Sequence, residues 1–168
     1  MGVIVRVPPA LADQLDRHLS GGFDEQLAFM LATWSGDEAD IVDLRLIATK
    51  AFDLQTPWHL SLSDEERAVV IKWAHDRGSA LVEAHAHRGG QLAEFSPSDH
   101  TGLDAFVPHV WWRLRHRPYI ALVFAERTFD GLAWRTGPET PEPVAALRTG
   151  GRADRVATGL STRGPHTW

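Results

Sequence analysis

The stretch Ala80-Leu81-Val82-Glu83-Ala84-His85-Ala86-His87 reads as a β-strand, and its two neighbours set the fold class. Residues two apart on a strand share a face, so Glu83, His85 and His87 point one way while the small Ala84 and Ala86 point the other. Upstream, Ser63-Asp64-Glu65-Glu66 matches a capping box. There the serine accepts from the third helical amide and Glu66 reaches back. The helix it opens carries Val69, Val70 and Trp73 and stops near Arg77-Gly78. Downstream, Ser96-Pro97-Ser98-Asp99 is a second cap, with proline at the first helical position. It opens a helix to about Arg115, which Pro108 is expected to bend.

Further out, Val3 to Val7 reads as a strand rather than a secretion signal. A helix from Ala10 to Leu19 follows Pro8-Pro9 and is stopped by Ser20-Gly21-Gly22. The apolar run Glu25 to Trp34 reads as a buried strand, and Asp40 to Thr49 as an alternating one. Trp58 to Leu62 suggests a short strand, and Pro118 to Glu126 with Phe129 to Arg135 a closing hairpin. After Thr136 the composition shifts to Gly, Pro, Thr and Arg. One short helix at Val144 to Leu147 and a weak strand near Arg155 to Leu160 are expected there. The reading is therefore an α/β domain over residues 1–136, a mixed sheet with helices packed on it, followed by a partly irregular tail over 137–168.

Bulk properties narrow the function. The chain has 168 residues, 43% apolar and 23% charged, with a formal net charge of −5, ordinary globular composition. A phosphate-backbone binder would show a basic balance, so nucleic acid is not an expected partner. No apolar run approaches the ~20 residues of a membrane helix, so a cytoplasmic enzyme or binding protein is expected. There is no cysteine, which removes disulfides, thiolate metal sites and a thiol nucleophile together. Any metal must be held by histidine and carboxylate, and nine histidines are available.

The strand pair His85 and His87 can bind one cation, or can be two hydrogen-bonded histidines on a half-buried strand. Asp99, in the first turn of a capped helix, caps that helix and can also turn an oxygen toward a metal. Two histidines and a carboxylate fill three corners of a zinc tetrahedron and leave the fourth open. Glu25, at the head of an apolar strand, is on its own an unremarked surface glutamate. His100, Glu83 and Glu94 rank behind these, as supporting or exposed groups. Of the seven tryptophans, Trp34, Trp73 and Trp134 are core candidates and Trp58 a substrate-contact candidate. Trp111 and Trp112, adjacent on a helix, cannot both face one core.

In this order the residues resemble the JAB/MPN (JAMM) zinc metalloprotease family. Its pattern is an early glutamate heading an apolar strand, then His-x-His-Pro, then Ser-x-x-Asp at a helix start. The resemblance spans about Val3 to Arg135. Arg88 stands where the family has proline, and the loop to Ser96 is one residue longer. It implies an MPN/JAB (cytidine-deaminase-like) fold, with one Zn²⁺ per chain on His85, His87 and Asp99. It implies Glu25 as general base and then acid, and Ser96 as donor to the oxyanion. The implied activity is hydrolysis of the amide bond after the carboxyl-terminal tail of a ubiquitin-like or sulfur-carrier protein, as in a bacterial conjugation or antiphage system with an E1-like enzyme. A homodimer is compatible with it. The alternatives are a non-catalytic MPN scaffold and a RadC-like, DNA-repair-associated member.

Overall fold

The computed structural model describes residues 2–163. In chain order the elements are β1 (Val3–Arg6), α1 (Pro9–Leu19), β2 (Leu27–Ser35), β3 (Glu38–Leu46), β4 (Phe52–Gln55), β5 (Leu60–Leu62), α2 (Asp64–Arg77), β6 (Ala80–Ala86), α3 (Pro97–Arg113), β7 (Tyr119–Phe124), β8 (Phe129–Trp134), β9 (Glu142–Arg148) and β10 (Arg155–Val156). Short 3-10 turns lie at Thr49–Ala51 and Leu160–Arg163.

The main sheet runs β1-β3-β2-β6-β7-β8-β9, and β1 pairs in parallel with β9 as well as with β3. That second pairing closes seven strands into a mixed barrel, with β10 added to β9. Alternation along each strand then separates two cores. Inward-facing residues of all seven strands, such as Val5, Ile41, Met30, Val82, Ile120 and Val144, form one cluster, to which α1 adds Ala12, Leu15 and Leu19. Outward-facing residues of β2, β6, β7 and β8 form the second cluster with α2 and α3, through residues such as Val70, Leu103, Val107 and Val110. Strands covered on both faces read as continuous apolar runs, as Tyr119 to Phe124 does, with every residue buried. The interior is tight. At Gly131 of β8 an added Cβ would stand 2.8 Å from Leu122 Cδ2 and 2.9 Å from Val144 Cβ, so only glycine lets β8 approach there.

This corrects the expected architecture. The sheet is not an open MPN/JAB-like one with helices packed on it; it closes on itself and carries three short helices. The physical reason lies in residues 142–148. Val144 to Leu147, read as a helix, is part of β9, whose register Val3↔Val144 to Arg6↔Arg148 joins the two ends of the barrel. The segment set apart as a tail after Thr136 therefore supplies a barrel strand, while its last residues, 164–168, lie outside the described residues. Two further differences bear on the site. The run read as a strand from Glu25 enters the sheet only at Leu27, and Phe52–Gln55 pairs with Leu60–Leu62 as a separate two-stranded ribbon. Helix α3 continues through Pro108 to Arg113. Among the described residues, no helix is long and apolar enough to cross a membrane.

Candidate metal centre

Strand β6 lies between β2 and β7, antiparallel to the first and parallel to the second. Its inward Ala84 and Ala86 are buried in the barrel core, which leaves the odd positions facing out toward α3. His85 is buried there, its ring 5.8 Å from Phe95. His87 lies just past the end of β6, yet its amide donates to the Phe124 carbonyl at 2.8 Å. That hydrogen bond prolongs the strand geometry by one residue, so the two imidazoles stay on one side.

The third group comes from the start of α3. Ser96 caps the helix: its Oγ accepts from the Asp99 amide at 3.1 Å, and the Asp99 carboxylate accepts from the Ser96 amide at 2.8 Å. The same Asp99 Oδ2 lies 2.9 Å from His87 Nε2 and 3.3 Å from His85 Nε2, and the two ring nitrogens are 3.1 Å apart. A His85-His87-Asp99 group of this kind, with His85 buried and the other two partly so, could hold a metal ion. The geometry fits one. With bonds of about 2.0–2.1 Å, two ligands of a tetrahedral zinc stand about 3.3 Å apart, close to the three separations here. Without a cation, protons must sit between these nitrogens and the oxygen to offset their mutual repulsion.

Glu25 completes the group. Its Oε1 is 4.0 Å from His87 Nε2, and the residue is only 5% exposed. It precedes β2 and is held through its backbone, with the Glu25 amide donating to the Thr56 carbonyl and Gln55 Nε2 donating to the Glu25 carbonyl, both at 2.9 Å. Four of the expected residues thus converge side chain to side chain, and Ser96 joins them through Asp99. Glu25, His85 and Asp99 line a cleft of about 480 Å³. Sequence reasoning missed one part of it and read another without placing it at the site. His59, whose Nδ1 is 3.3 Å from Ser98 Oγ, lines the cleft from the ribbon, and no pattern around it gave a signal. The edge of β5 was readable only as a short strand. Glu83 also lines the cleft and accepts from the Tyr119 hydroxyl at 2.7 Å. His100 packs edge-on to Phe95 and Glu94 is exposed, so neither joins the ligands. Trp111 and Trp134 are buried, Trp34 and Trp73 pack at the edges of the two cores, and Trp112 and Trp58 stand out to solvent.

The charges are coupled. Burial pushes the Glu25 carboxyl up, with His85 and His87 only partly offsetting it. Burial also disfavours the Asp99 carboxylate, but hydrogen bonds from His85 and His87 outweigh it and hold Asp99 well below the usual range. For His85, burial opposes the imidazolium, yet the Asp99 hydrogen bond and charge, with Glu83 and Glu25, raise its pKa above that of free imidazole. A proton therefore competes with metal for His85 at a higher pH than it would for an isolated histidine. Zinc affinity measured by calorimetry across pH 5 to 8 should fall on acidification, starting above the ordinary imidazole range of about 6.5. A flat profile would remove His85 from the ligands.

No protein-family model and no curated protein matches this sequence. Among solved structures, the chain resembles the solution structure of a structural-genomics target protein from Desulfitobacterium hafniense. The TM-score is 0.55 and the identity 13%, over 88% of this chain and 94% of the other. The likeness is one of fold. It supports the barrel architecture and leaves the chemistry to the side chains.

Proposed function

We propose that this protein is a zinc-dependent hydrolase of amide bonds, acting as an isopeptidase or peptidase on the carboxyl-terminal tail of a ubiquitin-like or sulfur-carrier protein. The observation that carries this is that Glu25 shares a cleft with His85 and Asp99 and lies 4.0 Å from His87 Nε2, without being among the three ligand candidates. The proposal rests on the site, since sites are grafted on many folds. Histidine and carboxylate donors without sulfur suit zinc, and three protein ligands with an open fourth position suit a catalytic rather than a structural ion. Bound there, zinc would lower the pKa of water to about 7 and polarise the carbonyl to be cleaved.

The chain's own groups divide the remaining work. Glu25, with its pKa raised by burial, accepts a proton at its carboxylate and returns it to the departing amine. The Ser96 hydroxyl accepts from the Asp99 amide and keeps its own hydrogen to donate to the developing oxyanion. Leu60, Ser61 and Leu62 of β5 line the cleft, and among the described residues β5 pairs with β4 alone. The other edge of β5 is therefore free to take an extended peptide by backbone pairing. An extended tail with small terminal residues is the substrate such an edge accommodates.

The test is metal analysis of the purified chain together with cleavage of a model fusion, a β-grasp carrier protein joined through its terminal glycine to a reporter amine. One zinc per chain and chelator-sensitive cleavage are expected. Full zinc with no cleavage of any such fusion would favour a non-catalytic scaffold.

A further inference from the structure

Glu25 is useful only if its carboxylate stays beside the metal ligands, and the segment leading to it is poorly anchored. Ser20-Gly21-Gly22-Phe23-Asp24 links α1 to the Glu25 position. Gly22 has φ +71°, a conformation other residues rarely adopt. Phe23 is 90% exposed, so no packing holds it. Among the described residues, no backbone–backbone hydrogen bond begins or ends at Gly22, Phe23 or Asp24.

Apart from Gln26 Nε2, which donates to the Gly21 carbonyl at 3.4 Å, one side chain from elsewhere supplies the anchorage. Arg88 Nη2 donates to the Gly21 carbonyl at 2.8 Å and to the Asp24 carbonyl at 2.9 Å, and Arg88 Nε donates to Asp24 again at 3.2 Å. These partners lie 64 to 67 residues away in sequence. Arg88 makes no ion pair among the described residues, so its fork is committed to backbone oxygens. The planar, fixed guanidinium suits such a two-carbonyl grip better than a single ammonium does. Arg88 also follows His87 directly, so one peptide bond joins the clamp to a metal ligand.

We propose that Arg88 is the positioning residue of the site: by tying the Gly21–Asp24 turn to the end of β6, it sets where Glu25 stands relative to His85, His87 and Asp99. Arg88 touches neither metal nor substrate and acts through Glu25. The inference rests on the reading of Glu25 as base.

The experiment loads the full chain and its R88A, R88K and E25A variants with cobalt(II) and records the affinity and visible spectrum of each, then kcat and KM on the fusion. R88A should bind cobalt with the parent affinity but take the spectrum of E25A. Its kcat should fall by about 10²-fold at unchanged KM, the scale of a 1 Å misplacement. R88K, able to reach one carbonyl, should fall between R88A and the parent. Should R88A fail to fold, the intermediate spectrum of R88K carries the test. A parent-like spectrum in both Arg88 variants, with E25A distinct, overturns the proposal and leaves the base standing. An E25A spectrum equal to the parent's removes Glu25 from the metal, and the role of Arg88 falls with it.

Discussion

Glu25→Gln should keep the metal and lose the reaction, with kcat falling by about 10²–10⁴ as expected for loss of a general base. Glu25 is not a ligand; its nearest approach to one is 4.0 Å, to His87 Nε2. Its backbone is held by Thr56 and Gln55 next to the Arg88 clamp, none of which the substitution touches, so the isosteric amide should sit in the same place. The stability change should run the other way. Burial raises the Glu25 pKa, so the native state binds its proton more tightly than the unfolded chain does. The ionised carboxylate therefore costs stability at neutral pH, and that cost disappears as pH falls through the raised value. Metal-free Glu25→Gln should thus unfold no lower than the parent at pH 7, with any advantage closing in acid. Zinc content, thermal unfolding and turnover of the fusion measure the three parts. Retained turnover in a zinc-loaded variant would mean that another group moves the proton.

Asp99→Ala should fail in two separable ways. The carboxylate is a metal-ligand candidate and also accepts from the Ser96 amide in the α3 cap. Asp99→Ala removes only the reciprocal half of the capping box, since Ser96 remains the N-cap, and it also removes the carboxylate that faces His85 and His87. Zinc affinity should drop by more than the ~10–100-fold typical of disturbing a supporting group. Asp99→Asn separates the two losses, because its amide oxygen can still accept from Ser96 while offering the cation a neutral donor. Asn should therefore restore the share of the unfolding temperature that belongs to the cap, but neither the charge pairing with the histidines nor zinc. Because the Asp99 pKa is held low in the folded state, its stabilisation is present above the unfolded carboxylate pKa of about 4. It is lost as pH falls toward the folded value. Full zinc occupancy in Asp99→Ala by elemental analysis would strike Asp99 from the ligands.

The parts of this protein that were legible in its sequence are those decided locally. Both serines cap their helices, Ser63 accepting from Glu66 and Ser96 from Asp99, but only the second box is reciprocal, because the Glu66 carboxylate accepts from Arg45 instead of reaching back. The period of two in β6 placed His85 and His87 on one face. Barrel closure was not legible, because Glu142–Arg148 contains Pro143 and the helix-favouring Ala145, Ala146 and Leu147. What makes it a strand is β1, a partner far away in sequence, and tertiary pairing overrides so weak a local preference. The role of Arg88 was hidden for the same reason. A guanidinium beside a histidine says nothing about which carbonyls, some 65 residues back, will be brought to it. The position of Glu25 was half legible: it does precede the apolar strand, but of the ribbon that fixes it only one strand, at Trp58 to Leu62, could be read.

The parallel pairing of β1 with β9 has a consequence for how the molecule is made. Val3 meets Val144, so β1 waits for a strand made about 140 residues later before the barrel can close. Contacts so distant along the chain slow folding, since loop entropy is lost before the contact repays it. Until then β1 and β8 each present a raw backbone edge able to recruit strands from other chains. A ribosome-bound or truncated product lacking residues 142–148 would thus be sticky rather than merely inactive, and expression yield should depend on keeping that late strand intact.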